Sequence, residues 1–204
     1  MNEHYEINSV AGCTRLRLVS DDGTNKLSRA RVQALTAAIL KLYDAALPLL
    51  ICGNSRFFSV GADLSEIAAL RGDEAFAFAK MGQRLMQTIA QFPAPTCAAV
   101  EGWCMGGGFD LALACRFRVA TPHAIFGHRG AALGLMTGWG GTQRLPRLIG
   151  SANSLETFLT AEKVHAQRAW ELGILDAVQP DAVGSALTLL RSGQDDSALT
   201  VVVP

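Results

Sequence analysis

The chain carries no surplus of charge. Among its 204 residues, 18 Lys and Arg face 18 Asp and Glu, so no net field argues for a nucleic-acid partner or an acidic membrane surface. No apolar run approaches the roughly 20 residues that a bilayer span requires. The opening Met1-Asn2-Glu3-His4-Tyr5-Glu6 has no basic stretch followed by an apolar core, so no secretory leader is expected. Its five cysteines, at 13, 52, 97, 104 and 115, are odd in number and contain no Cys-x-x-Cys pair. Several lie among apolar neighbours, as buried, reduced thiols of a cytoplasmic protein do. No Gly-Lys-Ser/Thr follows any glycine cluster, which excludes a phosphate loop. Nicotinamide and flavin fingerprints are absent, and no His/Cys/Asp cluster has metal-ligand spacing, so no metal is expected.

What is present is a large apolar share, 50% of the residues, enough for one compact domain with a substantial core. It includes one unusual stretch, Gly102-Trp103-Cys104-Met105-Gly106-Gly107-Gly108-Phe109-Asp110-Leu111-Ala112-Leu113-Ala114-Cys115. Three consecutive glycines allow a sharp turn and close approach to the backbone N–H groups. A helix starting there leaves its first N–H groups without internal partners and partially positive. Such a terminus can hold a developing oxyanion, with a carboxyl group one turn away. Burying Asp110 alone among Phe, Leu and Ala is costly, so it should face a polar cavity or a substrate. As a purely structural alternative, it is a favourable charge in the first turn of a helix.

Along the chain, strands and helices alternate. Tyr5–Val10 and Thr14–Ser20 have the pattern of a hairpin with Gly12 in its turn. Ser28 to about Leu47 is amphipathic, with Val32, Leu35, Ile39, Leu42 and Tyr43 on one face, and Pro48 ends it. Leu49–Cys52 is a short buried strand. Asp63-Leu64-Ser65-Glu66 caps a short helix ending near Gly72, and Asp73–Phe92 is a second long helix. Pro93 and Pro95 separate it from the strand Thr96–Val100. After the glycine-led helix come a strand at Phe117–Ala120, helices at Leu145–Ile149, Ala152–Thr160 and Ala166–Leu172, and a strand at Ile174–Val178. The order argues for an α/β fold of stacked units.

Four segments, in this order and spacing, carry a family resemblance. They are Asn25-Lys26-Leu27-Ser28, Phe58-Ser59-Val60-Gly61-Ala62-Asp63-Leu64, Ala98-Ala99-Val100-Glu101-Gly102 through Gly106-Gly107-Gly108-Phe109-Asp110-Leu111-Ala112, and Gly140-Gly141-Thr142-Gln143-Arg144-Leu145-Pro146. Together they resemble the crotonase superfamily of enoyl-CoA hydratases and isomerases, from about Tyr5 to Val178. The resemblance implies a crotonase-like fold of repeated ββα units with two roughly perpendicular sheets, assembled as a homotrimer or hexamer. It implies an acyl-CoA thioester as substrate, with coenzyme A part of that substrate rather than a cofactor. It further implies an oxyanion hole made by the N–H groups of Ala62 and Gly107, with Asp110 as acid or base. Arg56, Phe58, Gly61, Asp63, Leu64, Gly106, His128, Gly130 and Trp139 are the substrate-contact candidates. Of these, Arg56 is equally a solvated surface charge, Asp63 is foremost an N-cap, and Trp139 is equally plain packing.

Two departures bear on the reaction. Where enoyl-CoA hydratases carry two glutamates, this chain has Asp110 at the first position and Gly130 at the second. Dienoyl-CoA isomerases resemble it at Asp110, but their further acidic positions fall on Gly130 and Gly138. His128, two residues before Gly130, is a candidate substitute because imidazole titrates near neutrality; a structural histidine is the plainer alternative. Arg116 stands where an Asp commonly follows the Ala-Cys pair. The resemblance fades after Val178, giving a core over 1–180 and a short C-terminal segment, 181–204, in place of the family's longer helical region. The expected activity is an enoyl-CoA hydratase/isomerase-like reaction through a stabilised enolate. The alternatives are a decarboxylase or dehydratase acting on a CoA or carrier-protein thioester, and a catalytically impaired acyl-CoA-binding subunit.

Overall fold

A computed structural model describes residues 3–192. In chain order its first half comprises β1 (Tyr5–Val10), β2 (Cys13–Leu18), α1 (Arg29–Lys41), β3 (Leu49–Cys52), β4 (Phe57–Ser59), α2 (Leu64–Ala69), α3 (Asp73–Ala90) and β5 (Thr96–Val100). The second half adds β6 (Trp103–Met105), α4 (Gly107–Ala114), β7 (Phe117–Ala120), β8 (Ile125–Gly127), α5 (Gly141–Thr160), β9 (Val164–His165), α6 (Ala166–Glu171), β10 (Ala177–Val178) and α7 (Ala182–Ser192). A six-stranded sheet runs β1-β2-β3-β5-β7-β10, and a four-stranded sheet runs β4-β6-β8-β9. Only β1 with β2 and β8 with β9 are antiparallel; the other pairs are parallel. Each of the pairs β3/β4, β5/β6 and β7/β8 gives one strand to each sheet, so the fold is a repeated ββα unit.

The corner between the sheets explains Gly102. A side chain there would enter the carbonyl and Cα of Arg56, and the Trp103 N–H donates to that same carbonyl at 2.9 Å. Glycine lets two backbones cross in contact where the second sheet begins. The hairpin turn is Ala11-Gly12, both at positive φ, the backbone that matches strand twist in a tight hairpin. Ser28 caps α1 by accepting from the Arg31 N–H, and Asp63 caps α2 by accepting from the Ser65 N–H.

Several elements differ from the sequence expectation. The helix anticipated to Leu47 stops at Lys41, because the Tyr43 hydroxyl donates to the Thr88 carbonyl and Ala46 turns to positive φ. The residue before Pro48 is also steered away from helix. The strand anticipated from Ile174 shrinks to Ala177–Val178: the Ile174 and Leu175 N–H groups return to the Ala169 carbonyl and cap α6. The two helices on either side of Ser151 join as α5, bent where Gly150 leaves helical geometry.

Two apolar layers hold the molecule together. The larger lies between the sheets and α1, α3, α4 and α5, and buries Phe58, Phe109 and Phe126 completely. The smaller lies on the other face of the six-stranded sheet. There Ala182, Ala186 and Leu190 of α7 cover Leu50, Cys97, Ala99, Phe117 and Val119. Helix α7, within the segment 181–204, thus seals a sheet face that would otherwise be open. The remainder of the segment 181–204, beyond Ser192, lies outside the described residues. All five cysteines are buried and unpaired; burial pushes the Cys52 thiol up to about 11 and the Cys115 thiol up to about 12.

Candidate active site

The short turn after β4 brings the chain beside the start of α4. Gly61 has φ +94°, and a side chain there would stand 2.7 Å from the Met105 carbonyl and 3.1 Å from the Gly107 nitrogen. Only glycine fits, and its absence of bulk sets the Ala62 N–H beside the Gly107 N–H. Gly107 is the first residue of α4, so its N–H has no acceptor within the helix. Among the described residues, neither N–H donates to another backbone or side-chain group of the chain. Both open onto a cavity of about 630 Å³, walled mainly by apolar side chains of α2, α3 and the segment before α5. Trp139 forms one wall. Its indole lies against Gly107, where a side chain would come within 2.5 Å of the ring, and it packs on Phe78 with ring centres 5.4 Å apart.

Asp110, one turn into α4, has no exposed surface. The helix N-terminus favours its charge, and the Thr137 hydroxyl donates to its Oδ2. Its Oδ1 faces His128 Nε2 at 3.3 Å. The two are close enough for an ion pair but not aligned for a hydrogen bond, and both atoms are buried with no hydrogen-bond partner. The His128 ring is held between Phe109 and Phe158, with centres 5.0 and 5.2 Å away. Gly141, the first residue of α5, gives these two groups their room: a side chain there would collide with Asp110 Oδ1 and His128 Nε2. Arg144, one turn further along α5, is half-buried; burial holds its guanidinium below the ordinary value, partly offset by the Asp110 charge.

Gly130 sits in a tight loop whose carbonyl accepts from the N–H groups of Leu133 and Leu135, each at 2.8 Å. A side chain at 130 would stand 2.6 Å from the Leu135 carbonyl oxygen. The loop is therefore folded against any side chain at 130.

Gly61, Ala62, Leu64, Gly106, Gly107, Asp110, His128, Gly130 and Trp139 all line the cavity. Three candidates do not. Phe58 is wholly buried in the core between the sheets, because it lies on the inward face of β4. Arg56 is exposed at the sheet corner, over the Phe57 ring at 5.4 Å. Asp63 caps α2 and lies 3.9 Å from Lys26 Nζ. Sequence reasoning missed Thr137, which lies 27 residues from the carboxylate it touches; no spacing rule links them. Among the described residues, no group of three or more His, Cys, Asp or Glu could hold a metal ion, and no helix is long and apolar enough to cross a membrane.

Paired strands from repeated ββα units, with free N–H groups converging beside a carboxylate, define a class of protein that comparison with known families makes definite. The chain belongs to the enoyl-CoA hydratase/isomerase family, whose model matches residues 9–192. Among individual relatives, it is 42% identical over 128 residues to a probable enoyl-CoA hydratase of Bacillus subtilis, a match spanning 62% of this chain and 50% of that protein. The chain thus matches about half the length of that relative. Among solved structures it is similar to Pseudomonas aeruginosa DspI (28% identity, TM-score 0.87, covering 94% of this chain and 80% of the other). It is likewise similar to an enoyl-CoA hydratase of Bacillus anthracis (30% identity, TM-score 0.82, covering 95% and 74%).

Proposed function

We propose that this chain binds an acyl-CoA thioester with its acyl group in the cavity of about 630 Å³, and that it catalyses proton transfer at the carbon next to the thioester. The thioester oxygen lies between the N–H groups of Ala62 and Gly107, whose positive helix end stabilises the enolate as it forms. Such preorganised donors typically contribute about 100- to 1000-fold each. Asp110 moves the proton. The reading rests on one observation above all: the Asp110 carboxylate is buried beside His128, on the helix whose free N–H terminus opens onto the same cavity. With Gly130 in the second acidic position, a proton shift that needs one carboxylate is favoured over addition of water, which in the family engages two.

The test uses crotonyl-CoA with wild type and Asp110→Asn, in water and in deuterated water. Deuterium entering the α- or γ-carbon, without hydration and dependent on Asp110, supports the isomerase-type reading. Asp110-dependent hydration moves the assignment to hydratase. Gly130 and the tightly folded loop around it favour a second reading, an acyl-CoA-binding subunit without turnover; retained binding with neither signal assigns that role or a different thioester, including a carrier-protein one. We also propose a cytoplasmic homotrimer or hexamer. Leu155 and Leu159 of α5 are 57 and 62% exposed and lie one turn apart, an apolar pair suited to burial between copies. A monomer in light scattering removes that part of the proposal.

A further inference from the structure

A second cavity, of about 540 Å³, lies at the other end of α4 and shares no lining residue with the acyl cavity. Leu113, Ala114 and Cys115 form its floor, and Pro93 to Thr96 form one wall. Four arginines line it: Arg116 from the turn before β7, Arg118 from β7 itself, and Arg144 and Arg147 from α5. Among the described residues no aspartate or glutamate does.

These four guanidinium groups are not equivalent. Arg118 is committed to the fold: it donates to the carbonyls of Ile174 and Cys115, each at 2.6 Å, and meets Asp176 at 3.4 Å. Among the described residues the other three form no ion pair with a carboxylate, although the Asp110 charge acts on Arg144. Arg116 is exposed and lies 5.2 Å over the Phe117 ring. Arg147 donates to the Gln143 carbonyl of its own helix. Arg144 reaches only the Trp139 carbonyl, at 3.4 Å. Three cations held around one concave surface repel one another and keep most of their donors unused. Guanidinium forks match the oxygens of phosphate in geometry as well as charge, and such bonds are shorter and roughly twice as strong as neutral ones.

We infer that this cavity is an anion site for a phosphoryl group, held by Arg116, Arg144 and Arg147 and sharing no lining residue with the acyl-CoA cavity. The carbonyl end of α4 would repel an anion, and Arg118, donating to the Cys115 carbonyl, screens it. The binding chemistry is that of a phosphate or phosphate ester, and free pyrophosphate and a nucleoside diphosphate both offer it.

The experiment is calorimetric titration of the wild-type protein with pyrophosphate and, separately, with ADP, at physiological salt. Arg116→Asp and Arg147→Gln are titrated alongside, with circular dichroism melts to confirm that each is folded. Arg116→Asp sets a carboxylate on the rim among unpaired cations, so it should not harm folding. Saturable sub-millimolar binding that weakens about tenfold or more in both variants supports the site, since a charge-assisted hydrogen bond is worth about 1.5–3 kcal/mol. The tighter of the two probes tells a free phosphate from an ester. No saturable binding of either probe to wild type, or binding unchanged in both folded variants, overturns the proposal.

Discussion

The two ends of α4 face two cavities that use the same eight-residue helix in opposite ways. At its N-terminus the N–H groups are left free, a carboxylate sits in the first turn, and the surrounding wall is apolar. At its C-terminus a buried guanidinium donates to the carbonyl of Cys115, and further cations crowd the rim. Helix polarity makes each arrangement favourable: negative groups belong at the start and positive ones at the end. The difference lies in what is left unsatisfied. The N-terminal end keeps vacant donors and an unpartnered carboxylate oxygen, whereas at the C-terminal end the Cys115 carbonyl is satisfied by Arg118 and side-chain cations stand in surplus. The first is suited to reaction chemistry, the second to structure and electrostatics.

Substitutions can break that contrast, the strongest at the N-terminal end. Asp110→Asn should cut deuterium exchange into crotonyl-CoA by about 100- to 10,000-fold, while acyl-CoA binding measured by calorimetry persists. Next comes Gly107→Ala, whose methyl meets the Trp139 ring at 2.5 Å. It should lower exchange by about 100-fold and unfolding free energy by about 1–3 kcal/mol, read from rates and urea melts on the same preparation. At the other end, Arg118→Met should cost about 3 kcal/mol in stability by removing a buried ion-pair partner, with exchange per folded molecule unchanged. Thr137→Val takes away the donor to Asp110 and should lower exchange by about tenfold, with a stability loss of about 1 kcal/mol. The smallest effect is a silence. With the Cys115 thiol held up near 12 and every cysteine buried, a thiol reagent at neutral pH should label the native protein slowly and all five cysteines only in denaturant.

The sequence made the N-terminal end of α4 far more readable than the rest. A glycine run before an apolar helix, and a Gly-Ala turn after a strand, are local signals whose backbone consequences follow from residue type. Phe58 lies on the inward face of β4 while Gly61 and Ala62, in the turn that follows, face the cavity, and one contiguous motif does not tell the two apart. Strands β6 and β8 span three residues each, too short for alternation to register. They exist because β4 and the neighbouring ββα units supply edges to pair with. Thr137 and the arginine cavity depend on segments distant in sequence meeting in space. Helix α7 is hard to read from the sequence because two of its three buried positions, Ala182 and Ala186, are small, and their spacing with Leu190 gains meaning only against the sheet beneath them.

The Leu135 carbonyl has a consequence for position 130. A side chain at 130 would stand 2.6 Å from the Leu135 oxygen, while the N–H groups of Leu133 and Leu135 tie the loop to the Gly130 carbonyl. A main-chain atom, which no substitution at 135 removes, thus decides what position 130 tolerates. Any residue larger than glycine there has to displace the loop before its side chain can reach the cavity.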